Sequence, residues 1–198
     1  MQLNKRKLVM VIAFTIIGTS AASGQGTIDR LQPLVKISAH RLLIAEQVAL
    51  AKWDSGAAVE DLPREAQVIT DAVGDGVSRG LDPTSVSNFF KAQIEANKVI
   101  QYSLLADWRR AGRAPAHGPV DLVATIRPEL DHVQAALIAE LADTVAIRAS
   151  TTCRADVAKA VAKYVLVHKH EVGPLQSIAL DRALAASCSF DVGETALQ

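Results

Sequence analysis

Arg41 and Lys52 lie eleven residues apart, and Arg41, Ala45, Val48 and Lys52 follow one another at steps of four, three and four. Eleven residues are almost three turns of α-helix, with about 20° of offset, so both cations fall on one face with small apolar residues between them. Either the two heads snorkel to water from the edge of a buried stripe, or they face something anionic. A second group follows at Asp61, Arg64 and Glu65, within what reads as the first turn of a helix. Carboxylates suit a helix N-terminus, and Asp61 is placed to cap; a cation there is mildly disfavoured, so Arg64 asks for an anion. A third group sits on the seam Phe90, Ile94, Asn97, Gln101, Leu104, Trp108, where two amides interrupt an apolar stripe. Packed against ordinary core they would lose water without gaining partners. Fixed cations, amides and carboxylates on helices are the groups with which a small dianion carrying further polar atoms is bound. Counting along the chain does not establish that they converge.

Other chemistries are poorly supported. Gly74-Asp75-Gly76 is preceded by no strand, and Arg79 stands where a dinucleotide fingerprint needs its last glycine. His168, Lys169, His170 and Glu171 fall at a helix end, where histidines commonly serve the dipole rather than a metal. His40, His117 and His132 have no evident partner in the sequence, and no nucleophile elbow or triad is recognisable.

The elements that must position these groups are helical throughout. The periodicity predicts an all-α chain with helices at about 27–53, 61–79, 84–110, 122–149, 154–169 and 174–188. Pro33 marks a kink or a later start of the first helix, and Gly80 stops the second. AGRAPAHGP (111–119) is the clearest loop, and Pro128 is tolerable only near the start of its helix. Hydrophobic content of 49% with only 4% aromatics suits closely packed helices.

Residues 1–24 differ from the rest. Lys5, Arg6 and Lys7 precede the apolar run LVMVIAFTIIG and then small residues, the layout of a cleaved signal peptide. The run is too short to span a bilayer core of ~30 Å. Cleavage after Gly24, or after Ala21, leaves one domain over 25–198 and a periplasmic or secreted location. Removing the three cations leaves 18 basic against 21 acidic residues, which gives no basic footprint for nucleic acid or for a membrane. In an oxidising compartment Cys153 and Cys188, the only cysteines, are expected to form a disulfide. The last two helices form a hairpin over 151–198 that brings them together, and the bridge contributes about 3–4 kcal/mol on a chain-entropy basis.

Taken in order, RLLIAEQVALAKW (41–53), EDLPREAQV (60–68), LDPTSVSNFFKAQIEANKVIQYSLLADW (81–108) and IRPELD (126–131) resemble the secreted, periplasmic-type chorismate mutases of the all-helical class. The resemblance covers about 41–131, and the late cysteine pair matches the disulfide of exported members. It implies a bundle-like fold of six helices with the active site within one chain. It also implies conversion of chorismate to prephenate by a Claisen rearrangement, a step towards phenylalanine and tyrosine, with no cofactor and no metal. Arg41, Arg64 and Arg127 would surround the substrate carboxylates, and Lys52 and Gln101 would donate to the ether oxygen. Asp61 and Glu65 would orient the lysine or hold the ring hydroxyl, and Asn97 would contact a carboxylate. Lys52, Gln101 and Arg41 are the catalytic expectation, and a homodimer is the family expectation. Two departures stand out: Val68 replaces a glutamine of some exported relatives, and Gln101 replaces a glutamate of others. An amide donates at any pH, whereas a glutamate must first be protonated. Two rival readings are a lyase that eliminates pyruvate from isochorismate on the same scaffold, and a non-catalytic exported module that binds anions or proteins.

Overall fold

The computed structural model describes residues 21–189, and the described residues contain helices and no strand. The leader up to Ser20 and the last nine residues lie outside that range, and the signal-peptide expectation falls mostly there. Helix α1 spans Ala21–Ser55 and runs unbroken through Pro33. Pro33 is on the exposed face, so the Asp29 carbonyl that loses its amide partner is free to be solvated. The later start that Pro33 allowed is therefore absent.

Leu62–Ser78 (α2) is capped by Asp61, whose side chain accepts the Arg64 N–H at 3.1 Å. The helix ends as expected: Gly80 adopts φ 77° and the Leu81 N–H returns to the Gly76 carbonyl at 3.0 Å. Gly74-Asp75-Gly76 is helical, and Gly76 is where α2 comes close to its neighbour. A Cβ at that position would stand 2.8 Å from a Val86 methyl.

Pro83–Ala111 (α3) begins at the Asp82 cap and carries the seam of amides. Helix 122–149 was expected whole and is found in three parts. A π-turn spans Leu122–Ile126, α4 spans Arg127–Asp143 and a short α5 spans Val145–Arg148. Asp121 opens the π-turn by accepting the Val123 and Ala124 N–H groups at 2.8 Å each. Thr144 ends α4: it is buried and β-branched, and its hydroxyl bonds back to the Glu140 carbonyl. Pro128 is the second residue of α4, directly after the π-turn. Cys153–Val167 (α6) and Pro174–Leu184 (α7) complete the chain.

Helices α1 and α3 are the central pair. One side of the pair is covered by α6 against α1 and α7 against α3; α2 packs on α3, and α4 packs on α1 and α2. A single apolar core joins these helices, with Phe89, Phe90, Leu31, Leu34, Ile100 and Leu137 fully buried. Cys153 and Cys188 form the expected disulfide, with Cα atoms 5.9 Å apart. The bridge ties the start of α6 to the segment after α7. Arg148 fastens the same segment, donating to the Ser187 carbonyl at 3.0 Å while its own carbonyl accepts the Ser189 N–H at 3.0 Å.

Candidate active site

Between α1, α2, α3, the π-turn and α4 lies a cavity of about 150 Å³. Arg41, Lys52, Asp61, Arg64, Glu65, Asn97 and Arg127, seven of the eight residues singled out in the sequence, form its wall together. The question of convergence is thus answered by packing. Arg41 and Lys52 come from one face of α1, with Val48 on the wall between them. The wider π-turn places Arg127 one turn above Leu122, through an N–H bond to the Leu122 carbonyl, so both meet the cavity.

Arg41 is 7% exposed, and no carboxylate or hydrogen-bond acceptor of the described residues reaches its guanidinium. Burial lowers its pKa from the ordinary arginine range to about 10. A guanidinium kept in this state has lost hydration without gaining a protein partner, and it stays charged at neutral pH. Lys52 is half-buried and donates to the Val59 carbonyl at 2.5 Å. Val59 is in turn held in a small cluster with Ala49, Leu105 and Trp108, and Trp108 meets the edge of Trp53 at 6.0 Å. Burial pulls the Lys52 ammonium below the ordinary lysine value; Asp61 and Glu65 act against that shift, and the charge of Lys98 adds to it. An ammonium has three donors, so at least two remain for a ligand.

Arg64 meets Asp131 at 3.5 Å, which is the anion its position at a helix start demanded. Asn97 is buried and uses one amide hydrogen within α3, to the Gln93 carbonyl at 3.0 Å. The residue borders the cavity, and its second amide hydrogen has no partner among the described residues. Gln101 is the exception among the predicted residues. It is 5% exposed, its carbonyl oxygen has no partner among the described residues, and it lies one turn beyond Asn97 without bordering the cavity.

Asp131 and Gln134 also line the wall and were not singled out. The signal was present, because Arg127, Asp131 and Gln134 stand at steps of four and three on one helix face. Val68 is on the wall too and presents an isopropyl group there. Two histidines have partners that the sequence did not reveal: His40 faces Glu129 at 3.3 Å and His117 faces Asp54 at 3.5 Å. Among the described residues no group of three or more His, Cys, Asp or Glu side chains is placed to hold a metal ion.

This geometry can be set beside known proteins. Residues 27–102 match the profile of the family Chorismate mutase type II. A secreted chorismate mutase of Mycolicibacterium smegmatis is 31% identical over 153 residues, which cover 77% of this chain and 83% of that protein. The chain belongs to the chorismate mutase family. The secreted chorismate mutase of Mycobacterium tuberculosis is 28% identical over 87% of this chain and 84% of its own. Among solved structures, the chorismate mutase from Burkholderia phymatum superposes with a TM-score of 0.78 at 42% identity, covering 82% of this chain and 98% of that one.

The chorismate mutase fold is thus the all-helical arrangement that the sequence pattern called for. Of the mapped stretches, IRPELD lies beyond the profile match and belongs to the π-turn and the start of α4. The disulfide and the secreted relatives agree with an exported enzyme, and none of the described helices is long and apolar enough to cross a membrane.

Proposed function

We propose that the cavity binds chorismate and converts it to prephenate, with Arg41, Lys52, Asn97, Arg64 and Arg127 as the groups that do so. The observation that carries this reading is the Arg41 guanidinium, buried against the cavity with no anion among the described residues to meet it. A dianionic substrate supplies that anion, and the planar fork of arginine suits a carboxylate. Arg64 and Arg127, on α2 and α4, stand on the same wall for the second carboxylate.

The rearrangement is unimolecular, so the protein has no second reactant to deliver. Its tasks are to hold the flexible ether in a compact, chair-like form and to stabilise the negative charge that grows on the ether oxygen as its bond lengthens. Lys52 exchanges the Val59 carbonyl for that oxygen. It is a fixed cationic donor in a partly dry site, and it needs no reorganisation beyond the exchange. Glu65 and Asp61 accept from the ring hydroxyl or steady the lysine. Gln101 is the second donor to the ether if its amide turns towards the cavity when substrate enters.

In the precursor, the leader up to Gly24 directs export and is then removed. The test is incubation of chain 25–198 with chorismate and identification of the product. Prephenate is expected; release of pyruvate, or unchanged chorismate, would overturn the reading.

A further inference from the structure

Lys98 does not border the cavity, yet its side chain is only 11% exposed and three carboxylates surround it. Glu95 is at 2.7 Å, Glu65 at 3.2 Å and Glu60 at 4.0 Å. The contact with Glu65 reaches into the site. Glu65 gives Oε2 to Lys98 while its Oε1 accepts the Asp61 N–H at 3.3 Å, so its carboxylate is held by both oxygens. Those two anchors lie on different elements, the cap of α2 and the middle of α3.

Glu65 also acts on Lys52, whose ammonium feels both Glu65 and Asp61 without lying within ion-pair distance of either. Lys52 is half-desolvated and makes a single hydrogen bond, to Val59. Were Glu65 released from Lys98, the partly desolvated ammonium of Lys52, which already feels its charge, would be one of the cations of the wall open to its approach. A direct pair would satisfy both groups and would occupy the donor that an ether oxygen needs.

We propose that Lys98 is a positioning residue: it clamps the Glu65 carboxylate across α2 and α3 and so keeps the Lys52 ammonium open to substrate. The assignment rests on the reading of the cavity as a chorismate site. The Glu95 and Glu65 hydrogen bonds hold the Lys98 proton above the ordinary lysine value, so the clamp is charged across the neutral range. Two of its carboxylates, Glu60 and Glu95, do not border the cavity. They offset part of the lysine charge, so the site feels the placement of Glu65 together with a smaller repulsion of Lys52 by Lys98.

The experiment is a double-mutant cycle with Lys98→Met, Glu65→Gln and their combination, together with Lys98→Arg, each assayed for kcat and KM with chorismate. Lys98→Met is expected to lower kcat by about 10- to 100-fold with a smaller change in KM, the size of effect that misplacing a site group by about 1 Å produces. Lys98→Arg should recover most of the loss. Lys98→Met should add little to Glu65→Gln, because both remove the same placement. A Lys98→Met enzyme with parental kcat, or losses that add in full, overturns the assignment. If Lys98→Met does not fold, Lys98→Gln takes its place in the same cycle and is judged by the same two outcomes. A parent chain inert towards chorismate overturns the functional reading itself, whereas an active parent with additive losses overturns the role of Lys98 alone.

Discussion

Replacing Arg41 by methionine separates what the fold wants from what the site wants. In the ligand-free protein the Arg41 guanidinium has lost most of its water and meets no anion among the described residues, and burial lowers its pKa from the ordinary arginine range to about 10. That lowering corresponds to about 3 kcal/mol against the charged folded form, at about 1.36 kcal/mol for each pH unit. Above about pH 10 the unfolded chain holds a proton that the folded chain releases, so the penalty is relieved as pH rises past that point and is present in full below it. Methionine fills a similar volume without charge. Arg41→Met is therefore expected to raise stability at pH 7 by up to about 3 kcal/mol, or roughly 6–12 °C in Tm for a chain of this size. The same change should lower kcat/KM with chorismate by roughly thirty- to several-thousand-fold, the 2–5 kcal/mol lost when one partner of a buried charge pair is removed. Thermal melts and initial rates on chain 25–198 read the two effects separately. A variant less stable than its parent, or one that keeps parental kcat/KM, would refute the argument that Arg41 is held at a cost for its ligand.

Lys52→Ala should cost about 3–4 kcal/mol of transition-state stabilisation, as loss of one oxyanion donor does, and kcat is the measure. Because burial lowers the Lys52 pKa, the parent's activity should decline on the alkaline side at a pH below the ordinary lysine value, and a pH–rate profile checks this. Gln101→Glu should make activity rise as pH falls, since a buried carboxyl must be protonated to donate; a profile unchanged from the parent's would remove Gln101 from the ether oxygen. Reducing the Cys153–Cys188 bridge should lower Tm by roughly 6–16 °C, from about 3–4 kcal/mol of loop-closure entropy, while activity measured well below Tm changes little. The bridge lies on the α6 and α7 side of the central pair, away from the cavity.

Much of the molecule was legible because its determinants are local. The capping role of Asp61 and the stop at Gly80 each follow from one or two residues and the backbone beside them. The pairing of Cys153 with Cys188 needed only a hairpin and an oxidising compartment. Pro33 and the 122–149 stretch were misjudged because their outcome depends on surroundings. Pro33 is tolerated because its face is open to water, and the long helix is divided because Asp121 caps a wider turn and Thr144 is buried at the other end.

The site divides along the same line. Periodicity put Arg41 with Lys52 on one face and set Asn97 and Gln101 on an inward seam; a helix fixes such relations through its own 3.6-residue repeat. Whether those faces met one another, and which residues stopped short, depended on how α1 to α4 pack. That packing brought Asp131 and Gln134 to the wall, left Gln101 one turn beyond it, and bound Lys98 to Glu65. Distances between side chains on different helices are set by core volume and crossing geometry, summed over the whole chain, and no local window of sequence contains that sum.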